Sequence, residues 1–100
     1  MLYIGYAEDA PGKEEQRAAL REEHLRYLHG KPKKIVLGGG LLDGDNARLG
    51  NCFVIFAESL AAAQAWFAEE PYNKAGLFAS LEITRISRGV WNPELAANTK

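Results

Sequence analysis

One histidine in the sequence lies where a proton-transfer group would be placed. His24 stands between Leu20 and Leu28 at four-residue spacings, so in a helix it shares the stripe that faces the core. An imidazole buried there needs a hydrogen-bond partner, because an unpaired polar group in the interior costs free energy. If a carboxylate accepts from one ring nitrogen, the other is free to act as a general base or acid. His24 is therefore a candidate catalytic residue; the alternative is a buried histidine bonded to a backbone carbonyl.

Other side chains could bind a substrate beside that histidine. Arg21 lies three residues before His24, and no carboxylate lies three or four residues from it. An ion pair within the helix therefore does not explain Arg21. Either its guanidinium binds an anionic substrate, or it is simply solvated. Arg17, one turn earlier, could act in the same way less directly. Tyr6 and Tyr72 could line a pocket for a ring compound, or could be half-buried core residues.

The sequence predicts neither a metal site nor a cofactor site, as the glycines at residues 38–40, the histidines and the cysteine indicate. Gly39 and Gly40 could let a ligand approach the backbone, or could mark a strand bulge. They do not form a phosphate loop, because neither a helix nor Lys-Ser/Thr follows them. His24 and His29 are five residues apart and the chain has one cysteine, so we predict no metal site. We also predict no cofactor, because no cofactor motif is present.

Composition narrows the class of protein. One hundred residues predict a single small domain, residues 1–100. The net charge of -1 gives no long-range attraction to nucleic acid or to anionic membranes, and no apolar run reaches membrane-spanning length. Cys52 has no partner for an internal disulfide, which fits a reducing compartment. We therefore expect a cytoplasmic protein that binds neither nucleic acid nor membrane.

Hydrophobic spacing and turn residues divide the chain into six elements. Strands are predicted at residues 1–7, 35–42, 51–57 and 79–87. A first helix is predicted from about residue 13 to 29, and a second follows Ser59, a good N-cap, through residue 70. Residues 71–76 are predicted to be a loop, and residues 89–100 a polar tail.

The order β-α-β-β-α-β is that of an α+β, ferredoxin-like fold, an antiparallel sheet with two helices on one face. Its first and third strands are central, and here both are apolar on both faces. Two helices on one side cannot cover both faces, so a second copy packed sheet to sheet is the simplest cover. Both helices end at the same edge of the sheet, so Glu70, at the end of the second helix, could reach the cleft of His24. The alternative for Glu70 is a solvated helix end.

At this point the residues resemble a known family, the YciI-like (YCII-related) proteins. Each matching motif is short, but together they occur in order across nearly all of residues 1–88. The motifs are Leu2-Tyr3-Ile4-Gly5-Tyr6-Ala7, Arg21-x-x-His24-Leu25-x-x-Leu28, Gly38-Gly39-Gly40, Ser59-Leu60-x-x-Ala63-x-x-Trp66 and Glu70-Pro71-Tyr72-x-x-Ala75-Gly76-Leu77-Phe78.

The resemblance implies a dimeric α/β-barrel built from ferredoxin-like subunits, with an active site centred on a histidine and an aspartate and no established cofactor. The family histidine corresponds to His24. Its acidic residue before Pro-Tyr corresponds to Glu70, so this chain departs from the more usual Asp-Pro. The usual Gly-Pro after the second strand is Gly-Gly here. The resemblance also implies chemistry on small ring compounds, including elimination of chloride from a hydroxylated aromatic.

These observations lead to one main hypothesis and two alternatives. The main hypothesis is a homodimeric enzyme that uses His24 and Glu70 for acid–base chemistry on a small anionic or aromatic molecule. Elimination or isomerisation fits better than redox chemistry. The second hypothesis is a non-catalytic ligand-binding or regulatory module in which His24 orients the ligand. In the third, the histidine is structural and the protein acts through partners.

Overall fold

Four strands and four helices make up the protein in the computed structural model, which describes residues 1–98. The six expected elements appear in the predicted order, and two short helices are added to them. The elements are β1 (Leu2–Asp9), α1 (Glu14–His29), β2 (Ile35–Leu42), β3 (Arg48–Phe56), α2 (Leu60–Glu69), α3 (Pro71–Lys74), β4 (Phe78–Ile86) and α4 (Pro93–Ala97).

The strands form one antiparallel sheet in the order β2-β3-β1-β4, so the first and third strands are central, as predicted. β3 begins three residues before the predicted start at Asn51, because Arg48 and Gly50 still pair with β2. β1 continues past its predicted end at Ala7, because Glu8 pairs with β3 and β4 and Asp9 pairs with β4. The α+β, ferredoxin-like fold expected from the sequence is therefore confirmed.

The main core lies between the helices and one face of the sheet. Its buried residues alternate along the two central strands and meet the apolar side of α2. Gly5 faces this core, and a Cβ atom there would collide with the ring of Phe67. Glycine at this position therefore lets α2 approach β1 closely. The buried cluster consists of Tyr3, Phe53, Ile55, Ala57, Ala63 and Phe67.

The main core with α2 lies on one face of the sheet, and we call the opposite face the open sheet face. It carries the alternate residues of the same strands, several of them large and apolar. Tyr6 is 47% exposed, Phe56 53% and Leu37 58%. The residues of this face on the central strands are Leu2, Ile4, Tyr6, Cys52, Val54 and Phe56.

Two segments depart from the predicted secondary structure. The predicted loop at residues 71–76 begins with one helical turn, α3, which has proline at its first position and Glu70 as its N-cap. The predicted polar tail contains α4, which begins after Asn92, whose side chain accepts from the backbone N–H of Leu95. The last two residues of that predicted tail, Thr99 and Lys100, lie outside the described residues. No helix within residues 1–98 is long and apolar enough to cross a membrane.

Candidate active site

His24 is buried on the inner side of α1, as its spacing predicted. It is 4% exposed and is the one residue of α1 that is buried outright. Apolar residues of α1 such as Leu20 and Leu28 are only half-buried. The position on this helix with the least access to solvent is thus occupied by a polar ring, which the structure must satisfy with a hydrogen bond.

Glu70 supplies that hydrogen bond. The Nδ1 atom of His24 lies 2.7 Å from Oε2 of Glu70, and the Glu70 side chain is fully buried. The carboxylate is also held by the first turn of α3, because Oε2 accepts from the backbone N–H of Tyr72 at 3.1 Å and Oε1 from that of Asn73 at 3.4 Å. Both oxygens accept from backbone N–H groups, so Nδ1–H is the donor to Glu70. One carboxylate therefore caps a helix and fixes the orientation of the imidazole.

The second ring nitrogen of His24 is left available. Nε2 has no hydrogen-bond partner within residues 1–98, and no side-chain polar atom of this part of the chain is both occluded and unpaired. Nε2 therefore opens onto the small cavity of about 180 Å³ that His24 lines with Gly39, Gly40 and Phe53. We call this space the histidine cavity. An imidazole held at Nδ1 and open at Nε2 can accept a proton from a molecule bound there.

Tyr72 forms one wall of the histidine cavity and connects His24 to Arg17. Its ring stacks on that of His24, with 3.9 Å between ring centroids and 12° between planes. The guanidinium carbon of Arg17 lies 4.7 Å from the same ring centroid. Burial raises the pKa of the Tyr72 phenol, the charge of Glu70 raises it further, and nearby arginines oppose the shift. The phenol therefore stays protonated at neutral pH and can donate a hydrogen bond.

Arg17 is fixed by polar partners at the ends of two strands. Its guanidinium donates to both carboxylate oxygens of Asp9 at 2.7 Å and to Oδ1 of Asn51 at 2.5 Å. Burial works against the charged form, but the hydrogen bonds and charge of Asp9 outweigh it and raise the pKa of Arg17. A bidentate pair of this kind restricts orientation as well as adding energy. Arg17 is thus a rigid support for Tyr72, and its charge is already compensated.

Two further arginines flank the histidine cavity without such compensation. Arg21 and Arg48 both line it, and neither lies within ion-pair distance of a carboxylate in residues 1–98. The side chain of Arg48, which is exposed, passes over Gly40 in space that a Cβ atom at residue 40 would enter.

The structure brings together most of the residues that the sequence singled out. His24, Glu70, Arg21, Gly39, Gly40 and Tyr72 all lie in or against the histidine cavity. Tyr6 does not, because it points to the open sheet face, where it pairs with Cys52 and Glu82. Side chains alternate along a strand, so Tyr3 and Ala7 face the helices and Tyr6 cannot. In the single chain, Tyr6 and Tyr72 therefore do not line a common pocket.

Sequence reasoning missed three residues of the site. Asn51 shares the inward face of β3 with Phe53 and Ile55, and a strict alternation of two would have found it. Asp9 and Arg48 lie beyond the predicted ends of their strands, where hydrophobic patterning gives no signal. As for metal ligands, residues 1–98 contain no group of three or more His, Cys, Asp and Glu side chains placed to hold an ion.

Comparison with known proteins agrees with this picture. The sequence model of the YCII-related domain matches residues 1–87. An uncharacterized protein of Haemophilus influenzae is 32% identical over 91 residues, and protein YciI of Escherichia coli is 31% identical; each alignment covers 83% of this chain and 93% of the relative. Among solved structures, the 5-chloro-2-hydroxyhydroquinone dehydrochlorinase TftG of Burkholderia phenoliruptrix AC1100, in complex with 2,5-dihydroxybenzoquinone, is 32% identical with a TM-score of 0.81. That match covers 89% of this chain and 96% of TftG.

Proposed function

Because the chain belongs to the family of YCII-related domains, we propose that it is a small-molecule enzyme in which His24 and Glu70 transfer protons during an elimination or isomerisation. One observation carries the proposal, namely the 2.7 Å contact between Nδ1 of His24 and Glu70 beside an Nε2 that is open to a cavity. A histidine that served only the core would have both nitrogens satisfied or occluded.

The proposed chemistry follows from that arrangement. With Nδ1–H donating to Glu70, the lone pair of Nε2 can remove a proton from a bound substrate. The imidazolium that forms is stabilised by the buried carboxylate of Glu70. In an elimination, the electrons of the broken bond to hydrogen expel a leaving group such as chloride. In an isomerisation, Nε2 returns the proton to a different atom of the same molecule.

A small hydroxylated ring is the proposed substrate class. The histidine cavity, at about 180 Å³, is slightly larger than a cavity of about 150 Å³ that holds benzene. TftG, a dehydrochlorinase that binds a dihydroxybenzoquinone, supports the same class of compound. The cationic groups of Arg21 and Arg48 favour an ionised hydroxyl or another anionic form of the ring.

Chloride release from 5-chloro-2-hydroxyhydroquinone tests the proposal. His24→Asn keeps an amide that can still donate to Glu70 but removes the atom at Nε2, so we expect the rate to fall by roughly 100-fold or more with the fold retained. His29→Asn, at the exposed end of α1, is the matched control and should change the rate less than twofold.

Two results would contradict the enzymatic proposal. A His24→Asn variant that releases chloride as fast as the wild type would remove His24 from the reaction. If wild-type protein bound 2,5-dihydroxybenzoquinone but released no chloride from the chlorinated compound, a ligand-binding module would be favoured instead. Ring resonances of His24 in NMR spectra report the binding.

We also propose that a second copy of the chain covers the open sheet face. Tyr6, Leu37 and Phe56 are about half exposed there in the single chain, next to the half-buried Val54. A contiguous apolar surface of this kind is typical of an interface between subunits. Sedimentation of the wild type should give twice the 11.0 kDa chain mass, and Phe56→Glu should give the single chain. A wild type that sediments as 11 kDa at micromolar concentration would contradict the homodimer.

The thiol of Cys52 fits the proposed cytoplasmic location. Cys52 is half-buried on the open sheet face, and burial raises the pKa of its thiol. A protonated thiol is a poor nucleophile, so Cys52 suits a structural role in a reducing compartment.

A further inference from the structure

The histidine cavity adjoins a second, larger space that the proposed function does not use. This cleft has a volume of about 470 Å³ and lies between the end of β1, the start of α1 and the start of β3. Four residues line both spaces, namely Arg17, Arg21, Arg48 and Tyr72. The two spaces therefore meet at a boundary formed by these four residues, and we call the larger space the arginine cleft.

The charges of the arginine cleft are unbalanced. It is lined by four cationic side chains and by the carboxylates of Asp9 and Glu14. Asp9 is already engaged by Arg17, which leaves Arg21 and Arg48 with no carboxylate within ion-pair distance in the part of the chain that is described. Both guanidinium groups line the two spaces and carry a positive charge, so an anion bound at the boundary would be attracted by both.

Arg48 and Arg21 reach this boundary from two different elements. The Arg48 side chain passes over Gly40 on the neighbouring strand, in space that a Cβ atom at residue 40 would enter. Arg21 lies on α1, three residues before His24. Both side chains line the two spaces, so an anion bound at their boundary could contact both.

We propose that the substrate carries a carboxylate on its ring, bound by Arg21 and Arg48 at the boundary between the histidine cavity and the arginine cleft. The histidine cavity holds the ring, and the planar carboxylate matches the forked geometry of guanidinium groups. The carboxylate proposal rests on the proposed function, because that function places the ring of the substrate beside His24. It narrows the proposed class of hydroxylated rings to those that also carry a carboxylate, a group that the compound named for the dehydrochlorinase TftG lacks.

Two ring compounds of similar shape, one with a carboxylate and one with a neutral carboxamide, test this proposal. Calorimetry should show that 2,5-dihydroxybenzoate binds the wild type at least tenfold more tightly than 2,5-dihydroxybenzamide, because hydrogen bonds to a charged acceptor are stronger than those to a neutral one. Arg21→Met and Arg48→Met should each remove most of that preference and leave the affinity for the amide within about twofold. Added salt should weaken binding of the acid and not of the amide.

Arg85→Met is the matched control, because Arg85 is exposed on β4 and lines neither space. It should keep the full preference for the acid. Equal affinities of the two probes for the wild type would overturn the proposal. So would a double variant of Arg21 and Arg48 that still prefers the acid, or failure of both probes to bind at millimolar concentration.

The outcome is separable from that of the proposed function. Binding of the two probes is measured without turnover, whereas the role of His24 is measured by chloride release. A preference for the acid together with an active His24→Asn variant would refute proton transfer by His24 and leave the carboxylate site standing. Equal binding of the two probes together with an inactive His24→Asn variant would refute the carboxylate site and leave proton transfer by His24 standing.

Discussion

Glu70 provides the sharpest test of the site, because Glu70→Gln keeps the shape of the side chain and removes its charge. The three groups that donate to the carboxylate decide how the glutamine orients. With its amide oxygen at the position of Oε2, it keeps the two shorter bonds, from Nδ1 of His24 and the N–H of Tyr72. Its NH₂ group then faces the N–H of Asn73, so only the 3.4 Å bond is lost.

The expected magnitudes differ between glutamine and alanine. In Glu70→Gln one weak hydrogen bond is lost, and the other two no longer have a charged acceptor. A buried amide costs less desolvation than a buried carboxylate, which offsets part of this loss. The free energy of unfolding should therefore fall by about 1–2 kcal/mol. Alanine leaves two buried N–H groups unpaired and removes the cap of α3, which should cost about 3–5 kcal/mol. For a domain of this size, about 1 kcal/mol corresponds to roughly 4–8 °C in melting temperature.

Thermal unfolding followed by circular dichroism measures these effects, and ¹⁵N NMR of the imidazole identifies its protonated nitrogen. We expect the ring proton on Nδ1 in the wild type and in Glu70→Gln. Glu69→Gln is the matched control, because Glu69 is exposed and pairs with exposed Lys74 at 2.8 Å; it should leave the melting temperature almost unchanged. The reasoning would be refuted by a Glu70→Ala variant as stable as the wild type, or by a wild-type neutral ring protonated at Nε2.

Two further predictions concern packing and pH. Gly5→Ala should destabilise the protein by about 1–3 kcal/mol, because the new methyl group collides with Phe67, whereas Gly39→Ala meets open space and should cost far less; equal melting temperatures for the two variants would contradict this. Burial, aided by the charges of Glu69 and Glu70, raises the pKa of Tyr27 from its ordinary value of 10 to about 12. The folded state thus holds this proton more tightly, so its contribution to stability is complete below pH 10 and is lost as the pH rises from 10 to 12. Absorbance at 295 nm should show a phenol with a pKa near 12 that is absent from Tyr27→Phe, and a Tyr27→Phe variant with the same alkaline loss of stability would contradict the prediction.

The order of elements and the position of His24 were predictable because both follow from local patterns. Four-residue spacing placed His24 on the inner side of its helix, and the order of elements, together with two strands that are apolar on both faces, indicated the central pair of the sheet. The partnership with Glu70 required the chain order as well, since the two residues are 46 positions apart. The resemblance to YciI-like proteins, now supported by the match to residues 1–87, pointed to the same two residues.

What the sequence did not reveal depends on contacts that no local pattern encodes. The turn at residues 71–74 was predicted to be a loop because proline was taken as a stop, whereas Glu70 and Pro71 together begin a new helix. Tyr6 was assigned to the pocket by residue type, and the alternation of its strand places it on the open sheet face. Arg48 lies just past a turn, and its side chain passes over Gly40 on the next strand, a contact that the local sequence around either residue does not encode.

The double use of the Glu70 carboxylate has a consequence for the order of folding. A four-residue helix such as α3 cannot persist alone, because nucleating a single turn is unfavourable. Its cap is local, but the same oxygen, Oε2 of Glu70, is also held by His24, which lies 46 positions earlier in the chain. We expect these contacts to form after the rate-limiting step, when α1 has already docked on the sheet. In stopped-flow experiments, Glu70→Gln should then accelerate unfolding and leave the refolding rate nearly unchanged, which corresponds to a φ-value near zero.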